Sequence, residues 1–225
     1  MNKVNSLFEV IGPIMVGPSS SHTAGVAKLA KIAASMTGEK IVKVQFLLHG
    51  SFQTTYKGHG SDRALLAGIL GLGPSDPRLV DAYRLAEEAG LEYEFIPQDL
   101  GPVHPNTIKF VMTGESGSVT TLTGSSVGGG EVLVSNFDGI DVNFSGNFFT
   151  VIIMNEDRPG VVADVSWAIA SSGQNLASVS LSRTARGKVG TMIMELDGEP
   201  DPRVLRSLKL IPHVTKVLYY KPEKD

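Results

Sequence analysis

The sequence predicts an α+β protein of two successive units, and three observations predict it. Helical periodicity and strand alternation trade places through the first hundred residues, a run of short strands follows, and near Ser145-Gly146-Asn147 the pattern restarts in the order βαββαβ. We set the units at 1–145 and 147–225. A chain of 225 residues is long enough for one large or two modest domains with a real core.

The elements follow in order. "VAKLAKIAASMT" (26–37) places Val26, Leu29, Ala30 and Ala33 on one helical face. Gly38 is a natural stop, because glycine enters the left-handed conformation without a Cβ clash. "IVKVQFLL" (41–48) alternates Val42, Val44, Phe46 and Leu48 against Lys43 and Gln45, the pattern of a strand. After "HGSFQTTYKGHG" comes a second helix, "SDRALLAGILG". A third starts at Asp76-Pro77, with proline at its first position, and stops at Gly90. "LEYEF" alternates again, with Leu91, Tyr93 and Phe95 on one side. From Thr107 to Phe144 the pattern is short antiparallel strands joined by Gly, Ser and Asn-Phe-Asp-Gly turns.

The second unit reads as a strand, "NFFTVIIM", then a helix, "GVVADVSWAIASSG", with Val161, Val165, Ala168 and Ile169 on one side. "LASVSLSR" and "KVGTMIMEL" make a hairpin across Ala185-Arg186-Gly187. A helix, "DPRVLRSLKLI", and a strand, "VTKVLYY", complete a ferredoxin-like order.

Composition excludes several function classes. With 42% hydrophobic and 19% charged residues the chain is not a disordered one. A net charge of -3 gives no basic footprint for nucleic acid. No apolar run nears the roughly 18 residues of a membrane span, and "MNKVNSLFEVIGPIMV" has too short an apolar stretch for a signal peptide. A cytoplasmic address is the expectation. The chain has no cysteine, so a disulfide, a Cys-type zinc site or a thiolate-ligated iron–sulfur cluster would need another polypeptide.

The chemistry gathers in a few loops. "GPSSSHTAG" (17–25) sets Ser19, Ser20, Ser21, His22 and Thr23 between glycines at the start of a helix. Free amides and roughly half a positive charge at a helix start, with glycines that admit close approach, suit a carboxylate or phosphate. The competing reading is one serine cap and a polar turn. "HGSFQTTYKGHGSD" (49–62) carries His49, Lys57, His59 and Asp62: either a base or donor for a substrate, or a solvated turn with Ser61 or Asp62 as cap. "GPVHPNT" puts His104 and Asn106 in a proline-braced turn.

Other motifs argue against alternatives. "GSSVG" (124–128) matches the serine-hydrolase elbow, but "GGEVLVSNF" continues as a strand, so it reads as a glycine-rich hairpin. There is no H-E-x-x-H pair and no nucleotide-binding glycine motif, and no metal site is expected in this chain. In the second unit "MNEDRPG" joins the first strand to the first helix. There Asp157, Arg158 and Pro159-Gly160 shape a tight entry, with Gly160 allowing close backbone approach.

Taken together, "GPSSSHTAG", "HGSFQTTYKGHGSD", "HPNT" (104–107) and "GSSVGGGEV" (124–132) resemble the beta subunit of iron–sulfur-dependent L-serine dehydratase. "NEDRPGVVADV" (155–165) resembles the opening of an ACT domain, so the resemblance covers nearly the whole chain. It implies an N-terminal unit akin to the allosteric substrate-binding domain of some phosphoglycerate dehydrogenases. It also implies a catalytic part carrying a 4Fe–4S cluster, which here would belong to a separate alpha subunit, in line with the missing cysteines. The implied reaction is β-elimination from L-serine to pyruvate and ammonia, with a cluster iron as Lewis acid on the hydroxyl.

By the same resemblance Ser19, Ser20, Ser21, His22 and Thr23 would hold the substrate carboxylate. His59 would be the base or proton relay, tuned by Asp62 or Lys57, with His49, His104 and Asn106 lining the same cleft. Asn155, Asp157 and Gly160 would form a regulatory site, and the ACT-like unit could pair with a second copy through an exposed sheet edge. A serine-sensing module without a catalytic role, or a purely structural pairing protein, remain the alternatives at this stage.

Overall fold

The computed structural model describes residues 14–222. The N-terminal segment read above for a signal peptide lies mostly outside them. The chain divides into two compact units, the first ending at Asp138 and the second beginning at Gly139. This is a few residues before the break in the sequence pattern.

The first unit opens on a π-helical turn, Ser20–Ala24, that runs into α1 (Gly25–Thr37). Helix α1 stops at Gly38, whose φ of 76° is the left-handed conformation the stop signal requires. Strand β1 (Ile41–Leu48) follows, then a single turn, α2 (Phe52–Thr55), and α3 (Ser61–Ile69). The third predicted helix is split: Pro77–Asp81 is 3-10, and α4 (Ala82–Glu88) continues it. The Asp76 carboxylate takes the Arg78 amide, and Leu79 N bonds back to Asp76 O at 3.0 Å, which tightens that first turn.

Strands β2 (Glu92–Pro97), β3 (Thr107–Gly114), β4 (Val119–Gly128), β5 (Glu131–Phe137) and β6 (Ile140–Phe144) complete a six-stranded sheet in the order β2-β1-β3-β4-β5-β6. Only the β1–β2 pair among those described is parallel, and it needs the long crossover through α2, α3 and α4. The "GSSVG" stretch lies within β4 and its turn, so no strand-to-helix elbow forms there.

Register and burial fix one side of this sheet as the core. Phe46 of β1 faces Phe110 of β3, which faces Leu122 of β4, and all three are fully buried. Leu29, Ile32 and Met36 of α1 are buried as well. Sequence periodicity gave α1 one apolar face, yet it is buried on more than one, because α3 packs against it. Gly68 makes this possible. A Cβ there would stand 2.4 Å from the Ala27 carbonyl oxygen and 2.5 Å from the Ala30 Cβ.

Strand β6 already lies past Asp138, and the second unit then holds β7 (Phe149–Glu156), α5 (Val161–Ser171), β8 (Leu176–Arg183), β9 (Val189–Leu196), α6 (Pro202–Leu208) and β10 (Val214–Tyr220). This is the βαββαβ order, in a four-stranded sheet ordered β10-β7-β9-β8. Val161, Val165 and Ile169 of α5 meet Val151, Ile153, Met192 and Met194, as the helical spacing required. The fold is therefore α+β in both units. Among the described residues no helix is long and apolar enough to cross a membrane.

Gly68→Ala tests the helix contact. On an exposed helix the change would stabilise by up to about 1 kcal/mol. Here the overpacked contact should cost about 1–3 kcal/mol. The shift in the urea midpoint of the first unit reads the sign, and a gain in stability would contradict the packing.

Candidate functional site

Three chain segments of the first unit converge where β1 ends and β3 begins, in the interior of its sheet. They are the entry to α1, the connection from β1 to α3, and the turn that leads into β3. Backbone bonds tie the last two together: His49 N to Thr107 O at 3.1 Å, and Ser51 N to Pro105 O at 2.9 Å. Gly50 has a φ of 56°, and a Cβ on it would lie 2.4 Å from Pro105 O, so the approach admits no side chain. Ser126 N donates to Asn106 O at 2.9 Å, and the Thr107 and Ser125 hydroxyls meet at 2.7 Å, which anchors the turn to β4.

Two reciprocal bonds join the remaining pair of segments. The Thr23 hydroxyl donates to His59 O at 3.1 Å, and the Ser61 hydroxyl donates to His22 O at 2.7 Å. Thr23 and Ser61 are buried, and each spends its proton on the backbone of a histidine in the other segment. Thr23 thus acts on the site through His59. Helix α3 begins at Gly60 with no side-chain cap, so Ser61 serves this brace rather than capping.

The brace sets the two imidazoles side by side. His22 and His59 have ring centroids 4.9 Å apart in an edge-on arrangement, and Phe52 packs edge-on against His22 at 5.0 Å. His22 Nε2 lies 2.9 Å from Ser51 Oγ, and its Nδ1 lies 3.2 Å from Ser21 Oγ. Ser19 caps the π turn, its hydroxyl oxygen accepting from His22 N at 3.1 Å. Burial first, and the neighbouring His59 second, hold the His22 pKa below its ordinary 6.5. His59 is exposed, and its ring is free of hydrogen-bonding partners among the described residues, as is the Ser20 hydroxyl. A neutral, doubly hydrogen-bonded imidazole therefore stands beside an open one, next to part-buried serines at a helix start.

The other predicted residues take different places. The Asp62 carboxylate is buried, accepting from Tyr83 OH at 2.6 Å and from Arg63 N at 2.8 Å, so it is directed at α4. The Lys57 ammonium sits over the Tyr56 ring at 5.8 Å. His49 Nδ1 accepts the Leu100 amide at 3.0 Å. A ring nitrogen that accepts a hydrogen bond has no hydrogen to donate, so its 3.4 Å contact with Asp99 is not a hydrogen bond. His104 Nδ1 accepts from Asn106 N at 3.1 Å on an exposed turn. Sequence reasoning missed Ser51 and Phe52, which stand inside the quoted "HGSFQTTYKGHG" but carry no spacing signal toward His22. It also missed Ser126, whose buried hydroxyl has no partner and lies against Gly25.

In the second unit a cavity of about 160 Å³ opens beside the start of α5, lined among others by Asn155, Asp157, Arg158, Val162, Ser182 and Arg183. Asn155 is buried and its Oδ1 has no partner among the described residues. Asp157 accepts from Gly187 N and from Arg183, each at 2.9 Å, and the Gly187 bond first, then Arg183, lowers its pKa. Gly160 has open space around its Cβ position and a φ of 97°, so its backbone conformation, rather than a close approach, calls for glycine.

The lowered pKa of His22 makes a prediction about stability. Between its folded pKa and about 6.5 the unfolded chain binds more protons than the folded one, so stability falls as pH drops through that window and levels off below it. Urea midpoints at about pH 7.5 and about pH 5.5 should differ less for His22→Gln than for the unaltered chain. Equal differences would contradict a buried neutral imidazole.

A family model, serine dehydratase beta chain, matches residues 6–92. The L-serine dehydratase beta chain of Peptoniphilus asaccharolyticus is 42% identical over 193 residues, covering 85% of this chain and 87% of that protein. The probable L-serine dehydratase beta chain of Bacillus subtilis (strain 168) is 36% identical over 215 residues, covering 96% of this chain and 97% of that one. An L-serine dehydratase of Helicobacter pylori is 43% identical over 79 residues, which are 34% of this chain and only 17% of that longer protein. With two relatives matched along nearly their whole length, this chain belongs to the serine dehydratase beta chain family.

Proposed function

We propose that this chain is the substrate-binding beta subunit of a two-chain L-serine dehydratase, and that the site beside His22 and His59 receives L-serine. The observation that carries the reading is the juxtaposition of these two imidazoles, 4.9 Å apart, at a helix start furnished with part-buried serine hydroxyls. The carboxylate of the substrate is held by the free Ser20 hydroxyl and by the amides that open the π turn, with the positive end of the helix behind them.

His59, open on its ring nitrogens, takes the α-proton. His22, neutral near pH 7, donates to the bound substrate or to its serine neighbours and keeps a second positive charge away from His59. Loss of the α-proton and of the β-hydroxyl as water leaves an aminoacrylate. Its imine tautomer hydrolyses to pyruvate and ammonia.

The 4Fe–4S cluster of the resemblance does not fit the residues present. The chain has no cysteine, and among the described residues no three metal-ligating side chains come together. We assign the cluster to a partner alpha subunit. The second unit is assigned as an ACT-type regulatory module, and the buried, unpartnered Asn155 oxygen in its cavity supports a small amino acid as ligand. A serine-sensing role without catalysis would use that cavity alone.

Anaerobic reconstitution with the alpha chain tests the assignment through pyruvate formation. His59→Ala should lower kcat by about 10²-fold or more, the range for loss of a general base. Undiminished turnover by a folded His22→Ala, His59→Ala double variant would overturn the proposal and favour a sensing role.

A further inference from the structure

Ser51 makes the shorter of the two hydrogen bonds to the His22 ring and has no part in the steps above. Ser51 is part-buried, and its backbone is fixed at both ends: its N–H donates to Pro105 O at 2.9 Å, and its carbonyl accepts the Thr55 hydroxyl at 2.6 Å. Its own hydroxyl meets one described partner, His22 Nε2, at 2.9 Å. A neutral imidazole has one donor and one acceptor nitrogen, and the hydrogen bonds at its two ends decide which is which.

The direction can be argued from the one group that only donates. The His22 amide gives its proton to Ser19 Oγ at 3.1 Å. Ser19 Oγ lies 3.5 Å from Ser21 Oγ, which lies 3.2 Å from His22 Nδ1. Run head to tail, each hydroxyl accepts from the previous group and donates to the next, and every bond polarises the one after it. Nδ1 then accepts, and Nε2 carries the proton and donates it to Ser51 Oγ. In the reverse sense Ser19 Oγ would accept both bonds on its two lone pairs, its own proton would lie outside the chain, and the polarisation would no longer run head to tail.

We propose that Ser51 is a ligand-contact residue of this site. Its oxygen is occupied by the Nε2 proton of His22, and its own hydroxyl proton is thereby turned outward to the carboxylate of the bound amino acid. The proposal deepens the dehydratase reading and rests on it for the identity of the ligand. The tautomer does not depend on that reading.

The experiment labels the five histidines of the full chain with 15N and assigns His22 by its loss in His22→Gln. The unaltered chain should show a protonated Nε2 and an unprotonated Nδ1 on His22. Ser51→Ala should lose that single tautomer for a mixture, and Ser51→Thr, which keeps the hydroxyl, should retain it. In the complex with the alpha chain, Ser51→Ala should raise KM for L-serine by about tenfold or more, the loss expected for one hydrogen bond to a charged group, with Ser51→Thr near the original value.

A His22 protonated on Nδ1 overturns the proposal, and so does an unchanged KM in Ser51→Ala. A complex of the unaltered chains that makes no pyruvate overturns the dehydratase reading and the ligand contact with it. The 15N spectrum would still show separately whether Ser51 sets the tautomer. Thermal unfolding of both variants identifies a change that comes from misfolding.

Discussion

The site depends on a pair of hydrogen bonds that touch no ligand. The hydroxyls of Thr23 and Ser61, both buried, cross between two helix entries, and each closes on the carbonyl of the other segment's histidine. A buried hydroxyl without a partner costs on the order of 1–3 kcal/mol, so each bond penalises any conformation in which the segments part. Because they grip the backbone, they place the imidazoles without occupying them. His22 can then be hydrogen-bonded through both ring nitrogens while His59 stays open.

The support for this brace lies in the packing below it. Helix α1 can reach α3 closely because Gly68 has no side chain, and the starts of the two helices then come together. The turn before β3 is drawn in by His49, Ser51 and Ser126 through backbone bonds alone. Small residues in this part of the sequence are therefore contact surfaces as much as turn-formers. The chemistry needs rigid backbone here, since a loose loop would not keep two histidine rings in edge-on contact.

Much of this was legible in the sequence, for local reasons. The Gly38 stop, the alternation in 41–48, the proline start at Pro77 and the βαββαβ order all reflect interactions within a few residues, and the structure has each of them. The polar loops were legible as a site because donors and glycines cluster there. What escaped the reading depends on distant partners. Asp62 stands close to His59 in sequence, yet its carboxylate bonds to Tyr83, 21 positions away. Ser51 is 29 positions from the imidazole it holds. The second buried face of α1 comes from α3, which no periodicity in α1 announces.

The most direct test is to follow the histidine side-chain resonances of the full chain while L-serine is added. The account predicts that His22 and His59 shift together along one binding curve, and that His213, in the second unit, stays where it is. Shifts confined to His213 and to the amides around Asn155 and Gly160, with His22 and His59 unmoved at saturation, would contradict it.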